Sequence, residues 1–225
     1  GVKKGKKNEK RVATPSSVLL GKMAASGLLV NYPNNKMRFV HPVFAGYLAG
    51  QALSEFKGED TLLNQPDWSG KYLAMHYFAA RGDASKLVQA LMEFSRLPMH
   101  RPLFAAARWL RDAPKNAPWR GKLFFTLAAI LQTDGLPLSL RGQAMAAFVV
   151  SNDPGAATLF RQLETTLSFE LIQLAVLGTG AIRDTKAVEI VEQAMNAPSL
   201  SVRRAACMAL VSIGTNEALE SVAHT

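Results

Sequence analysis

The chain has 225 residues, 48% of them apolar, with 26 Lys and Arg against 17 Asp and Glu. That supplies a core for one extended or two compact domains, but the longest apolar stretches, such as 123–131, fall far short of the roughly 20 residues a bilayer span needs. The basic start leads into no apolar segment of the kind a secretory signal requires, and the single Cys207 can form no internal disulfide, which fits a reducing cytoplasm.

The predicted organisation begins with a basic flexible linker over 1–11. Lys3, Lys4, Lys6, Lys7, Lys10 and Arg11 face one acid, Glu9, so these residues carry +5 of the net +9. A run of this kind is solvated and touches phosphates only non-specifically. From 12 to 57 the pattern is helix, hairpin, helix. Thr14-Pro15 offers an N-cap and a first-turn proline, and Val18, Leu19, Met23 and Ala24 give an apolar face that Gly27 closes. Leu28–Tyr32 and Met37–Val40 read as strands around the turn Pro33-Asn34-Asn35. After His41-Pro42 a second helix carries Phe44, Tyr47, Leu48, Ala52 and Phe56 on its apolar side. This is the core of a winged-helix-like unit.

The stretch "GLLVNYPNNKMRFVHPVFAGYLAGQAL" resembles the winged-helix part of NACHT-type STAND NTPases, where a "GLL" segment leads through a hairpin to a motif close to "rFxHxxFxEYLAAxxL". Arg38, Phe39, His41, Phe44, Tyr47, Leu48, Ala49 and Leu53 match; Gly46 stands in place of the usual Glu and Gly50 in place of a usual Ala. The resemblance implies a regulatory unit of a signalling NTPase in which His41 contacts the phosphates of bound ADP. An imidazole can donate to a phosphate oxygen; the alternative is that His41 bonds only to nearby backbone. A P-loop would need G-x-x-x-x-G-K-[ST]. Gly21-Lys22 runs into Met23, Gly70-Lys71 into Tyr72 and Gly121-Lys122 into Leu123, each without the leading Gly. An NTPase core is therefore expected upstream of Gly1, and ATP or ADP belongs to such a parent rather than to this segment.

Residues 58–135 read as diverged helical repeats. Gly58–Gly70, with Pro66, is expected to be a loop. Beyond Trp68, four or five helices are predicted: Leu73, His76, Tyr77 and Ala80 make one face, Leu87, Leu91 and Phe94 another, and Leu103, Ala106, Ala107 and Leu110 a third. Pro98, Pro102, Pro114, Pro118 and Pro137 mark starts and connections. His76 and His100 have no Cys or His partner at ligand spacing, which argues against a metal. Trp68, Trp109 and Trp119 read as packing residues.

Over 136–225 a period of 31 residues emerges. Leu140, Leu171 and Val202 share a register, as do Ala144, Ala175 and Ala206; Ser151, Ile182 and Ile213; Ala156, Ala187 and Ala218; and Phe160, Val191 and Val222. Such self-similarity marks a stacked helical array. Val202, Ala205, Ala206, Ala209, Leu210 and Ile213 form one stripe, repeated by Leu171, Leu174, Ala175, Gly178 and Ile182; the partner helix shows Ala187, Ile190, Val191 and Ala194. Cys207 takes the register of Met145 and Val176 and reads as a small core residue. "SVRRAACMALVSIGTNEALESV" resembles HEAT repeats, and "ELIQLAVLGTGAIRDTKAVEIV" is a weaker copy with Ile172 in place of Arg. The resemblance implies that Arg203, Asp153 and Asp184 bridge neighbouring repeats. Gly178-Thr179-Gly180 falls inside a helix and is no phosphate loop.

The predicted fold is mainly all-α: an α-α superhelix of HEAT-like repeats preceded by a small winged-helix-like unit with one short β-hairpin. The expected function is a non-catalytic, ligand-sensing and protein-interaction module of a larger cytoplasmic signalling NTPase. It binds a protein partner through the solenoid surface, an upstream NTPase domain, and neither membrane nor metal. Alternatives are a nucleic-acid binder using Lys22, Lys36 and Arg38, or a free-standing protein-binding scaffold. No nucleophile, base and orienting group stand at a recognisable catalytic spacing. The start in a charged segment without Met, and the end inside the second helix of a repeat, read as cuts in a longer protein.

Overall fold

The computed structural model describes residues 16–94 and 101–223. The basic linker, Thr14-Pro15, Pro98 and His100 lie outside the described residues. Helix α1 (Ser16–Ala25) leads to strands β1 (Leu29–Tyr32) and β2 (Lys36–Phe39), paired antiparallel with Leu29 opposite Phe39 and Tyr32 opposite Lys36. Asn34 and Asn35 turn the hairpin with φ of 64° and 54°, a left-handed conformation that asparagine tolerates better than most side chains. Helix α2 (Pro42–Glu55) follows.

Among the described residues of this unit only Leu29, Gly46 and Gly50 are buried. The expected apolar side of α2, with Phe44, Tyr47, Leu48, Ala52 and Phe56, faces outward instead. The inward side carries the two glycines, Ala49 and Leu53, and packs along α4 (Lys71–Ala79). A Cβ on Gly50 would meet Tyr77 Cβ at 2.6 Å and the Ala74 carbonyl oxygen at 2.7 Å, and one on Gly46 would meet Leu73 Cβ at 2.6 Å. Gly46 and Gly50 are thus points of closest approach between α2 and α4.

The segment expected as a loop contains α3 (Glu59–Asn64). Its first turn holds Glu59 and Asp60, favourable at a helix N-terminus, and Leu62 is fully buried in the core with Leu63 packed beside it. One buried leucine on a short polar sequence is enough to fold the turn onto its neighbours. Helices α5 (Ser85–Phe94), α6 (Arg101–Ala106), α7 (Trp109–Asp112) and α8 (Trp119–Gln132) complete the irregular middle. Leu103, Ala106, Ala107 and Leu110 are all buried as predicted, although the helix breaks at 107–108. Trp109 and Trp119 are buried edge-to-face, with ring centres 6.4 Å apart.

The period of 31 becomes geometry in the last third. Helices α9 (Leu138–Ser151), α11 (Phe169–Ile182) and α13 (Leu200–Ile213) start and stop in the same register and stack as one row. Each ends in a left-handed residue: Asn152, Arg183 and Gly214. The partner helices α10 (Pro154–Leu163), α12 (Val188–Ala194, after a 3-10 turn at Thr185–Ala187) and α14 (Asn216–Ala223) begin with Asp153, Asp184 and Thr215. The side chains of these three accept from the backbone N–H groups of Gly155, Lys186 and Ala218. One core runs from Leu62 to Ala175 and a second from Val176 to Ala218, so α11 belongs to both. The fold is an α-α superhelix with a single two-stranded sheet among the described residues.

Close approach recurs here. A Cβ on Gly180 would lie 2.5 Å from the Ala209 Cα on α13, whereas Gly121 in α8 has nothing within 4 Å. Opposite signs are therefore expected for one chemical change. Gly121→Ala should raise stability by up to about 1 kcal/mol through helix propensity. Gly50→Ala and Gly180→Ala should each lower it by about 1–3 kcal/mol through overpacking. Urea unfolding of the three variants checks this, and equal signs would refute the packing argument.

Candidate interaction surfaces

The repeats are tied together by arginines. Arg120 Nη2 donates to Asp153 Oδ2 at 2.5 Å and Arg161 Nη1 to Asp184 Oδ2 at 2.6 Å, so the aspartates that cap α10 and the turn into α12 each also bind the helix two before, α8 and α10. Arg203, expected to do the same, donates instead to the carbonyls of Ala197 and Pro198 and fastens the turn entering its own helix. Arg141, one repeat-pair earlier in the same register, is buried; it donates to the Leu131 carbonyl and reaches Glu170 at 2.8 Å. Ile172 occupies that register between them and lacks the contact. Arg120 and Arg161 carry no period-31 signal, and only their pairing with a capping aspartate in space reveals them.

At the end of α10, Glu164 is buried. It accepts from Thr179 Oγ1 at 2.5 Å, while its other oxygen has no hydrogen-bond partner. Burial pushes its carboxyl up to about 7; Asp184 raises it further, and Thr179 and Arg161 pull it down.

Three open surfaces stand out among the described residues. The first is the outer face of the N-terminal unit, where Val18, Leu19 and Leu20 of α1 and Phe44, Tyr47 and Leu48 of α2 are 39–50% exposed. His41 is the N-cap of α2. Its Nδ1 accepts from the Val43 N–H at 3.2 Å, which leaves Nε2 to carry the proton of the neutral ring, and the residue is exposed. The second is a groove of about 550 Å³ between α8 and α10, floored by Phe124, Ala128, Leu159 and Leu163, beside a Phe125 that is 74% exposed. Its rim of Gln132, Thr158, Gln162 and Thr166 carries no charge. The third lies between α4 and α6–α7, where His76 Nε2 donates to Asp112 Oδ2 at 2.9 Å. Among the described residues no group of three or more His, Cys, Asp or Glu converges as metal ligands, and no helix is long and apolar enough to cross a membrane. Cys207 is partly buried against the second core.

A stacked row of equal helices, capped and bridged at a fixed interval, defines the C-terminal part as a helical-repeat solenoid. Residues 156–224 match the family described as HEAT repeats. Comparison of the chain with curated proteins gives no match.

The Glu164 carboxyl gives a pH dependence with a definite sign. Its folded-state value of about 7 lies above the ordinary 4.5. Below the ordinary value both states are protonated and folding is unpenalised. As pH rises from there to about 7 the unfolded chain ionises first, so stability falls, by at most about 3 kcal/mol. Glu164→Gln should flatten this decline and be the more stable chain at pH 8. Thermal unfolding of both proteins from pH 4.5 to 8 tests it, and parallel curves would rule the carboxyl out as the cause.

Proposed function

We propose that the chain is a non-catalytic protein-interaction module, and that in the cell it forms the regulatory, ligand-sensing part of a larger cytoplasmic signalling NTPase. The HEAT-like repeats support the first half, since such arrays present extended surfaces for protein partners. The apolar outer face of the N-terminal unit carries the second. Scattered exposed leucines are ordinary, but six large apolar side chains exposed on the two helices of one small unit favour a partner surface there. An upstream nucleotide-binding domain seated there would cover them and bring a phosphate to Nε2 of the exposed His41 at the start of α2. A ligand on the solenoid that favours one arrangement of the two parts would then alter nucleotide release, by no more than its difference in affinity for the two arrangements.

Expressed with its native upstream sequence, the protein should carry a Walker A segment and hold ADP, and removing residues 136–225 should change the release rate of fluorescent ADP severalfold. An upstream region without that segment, or unchanged release, sinks the NTPase assignment and leaves a free-standing scaffold.

A second reading has one observation behind it. Val30 pairs with Arg38 and Tyr32 with Lys36 across the hairpin, giving it one face with two apolar and two cationic side chains. Lys22 stands on the neighbouring α1, and Glu55 is the only acid from 16 to 57. A duplex nucleic acid would meet that face with its phosphates. If so, log affinity should fall against log salt with a slope of about −3 for three neutralised phosphates. Absence of binding at low salt excludes it.

A further inference from the structure

The cavity beside His76 has a neighbour. It occupies about 310 Å³ and is lined by Tyr72, His76 and Tyr77 of α4, by Trp109 and Arg111 of α7, and by Ala105 and Arg108 between them. A second cavity of about 370 Å³ opens on the other side of Ala105 and Arg108, walled by Phe104 of α6 and by Ala146, Ala147 and Val150 of α9. The two share Ala105 and Arg108 as a common wall, so a chain laid across that wall would follow a groove from α4 to α9. One half is aromatic and polar, the other almost wholly apolar apart from Gln143.

Charge in the groove is unbalanced at one point. Arg111 binds both oxygens of Asp112, at 3.2 and 3.3 Å, and the hydrogen bond from that guanidinium, with the attraction of its charge, holds the Asp112 carboxyl below the usual carboxylate range. His76 donates to the same carboxylate. Asp112 is thereby committed to its two neighbours. Arg108 is exposed on the shared wall, and among the described residues its guanidinium takes part in no ion pair or side-chain hydrogen bond. An uncompensated guanidinium flanked by an apolar slot is a fork for a carboxylate or phosphate carried close to a large apolar side chain.

We propose that this groove binds an extended segment of a partner protein, with an apolar side chain in the slot between Phe104 and Val150 and an acidic side chain, a few residues away, held by Arg108 over the His76–Asp112 pair. The inference rests on the protein-interaction reading and supplies what that reading leaves open, the chemistry of the partner. The small wall residues Ala146 and Ala147 leave room for a branched or aromatic side chain. The aromatic half, with Tyr72 half exposed at its mouth, gives the acidic residue's stem a surface to lie on.

The test is selection from random twelve-residue peptides displayed on phage, with the whole chain as bait. Enriched sequences should carry Asp or Glu within a few positions of Leu, Ile, Met or Phe. A selected peptide, made synthetically with a fluorescent label, should lose affinity by about tenfold or more on Arg108→Glu, as expected for reversing one partner of a charge pair. Val150→Asp should weaken it comparably, while Phe125→Asp, outside the groove, should leave it unchanged. Both groove positions are exposed, so the variants should keep the parent's melting temperature. Peptides that bind regardless of Arg108→Glu and Val150→Asp overturn the groove while protein binding stands. A chain that enriches no peptide also overturns the groove, and the nucleotide-release experiment then decides the wider reading separately.

Discussion

The structure depends on helices approaching closer than ordinary side chains allow. Gly46 and Gly50 bring α2 onto α4, Gly178 admits the ring of Phe160, and Gly180 brings α11 onto Ala209 of α13. At such spacing backbones supply much of the contact surface, and interdigitation of longer side chains is not needed. The same glycines lower helix propensity, so they are a cost to each isolated helix and a gain only in the assembled stack. That makes the stack cooperative across its interfaces. It also explains how a segment with three buried residues, the N-terminal unit, stays docked: the docking is backbone against backbone along α4.

Over this packing lies a polar frame with the same interval. Asp153 and Asp184 each cap a helix and receive an arginine from the partner helix two elements earlier, so one carboxylate satisfies an orphan helix N–H and fixes that helix's position at once. These pairs are mostly buried, where charge attraction is strong but desolvation is costly, so their net worth is small compared with their directional content. Apolar stripes permit sliding; a bidirectional cap does not. The last repeat uses Thr215 at that position, keeping the cap without the charge.

How much of this was legible follows from what each signal measures. Period-31 identity exposed the three equal helices because identical environments select identical residue sizes. Asp153 and Asp184 were legible through the repeat resemblance, which implies bridging residues at those positions. Arg120 and Arg161 were not, since their partners are fixed by stacking, not by spacing. The face of α2 was misassigned for a physical reason: hydrophobic periodicity points to the side with the largest apolar residues, and here that side is the outer one, while the buried side is made of glycine and alanine. Helix α3 was missed because its sequence reads as polar, and only Leu62 and Leu63 pack it against the core. The open cavities beside Arg108 had no sequence signal, because their walls come from helices α4, α6, α7 and α9, far apart in the chain.

The break and the docked unit meet on α4. Its Tyr77 lines the cavity next to His76 on one side and sits edge-on to Tyr47 of α2 on the other, with ring centres 5.2 Å apart. Its backbone nitrogens and carbonyls are the surface against which Gly50 rests. A group entering that cavity therefore meets a side chain that already touches the N-terminal unit, and α2 has no slack, since a Cβ alone would collide there. Tight glycine contacts do not yield gradually; they hold or they separate. If α4 shifts to admit a ligand, α2 and the hairpin behind it must move as a body or undock. The unit that undocks most easily is the one with the least buried surface. Tyr47, Tyr77 and Gly50 are thus the contacts that tie α4, and the cavity it lines, to the N-terminal unit.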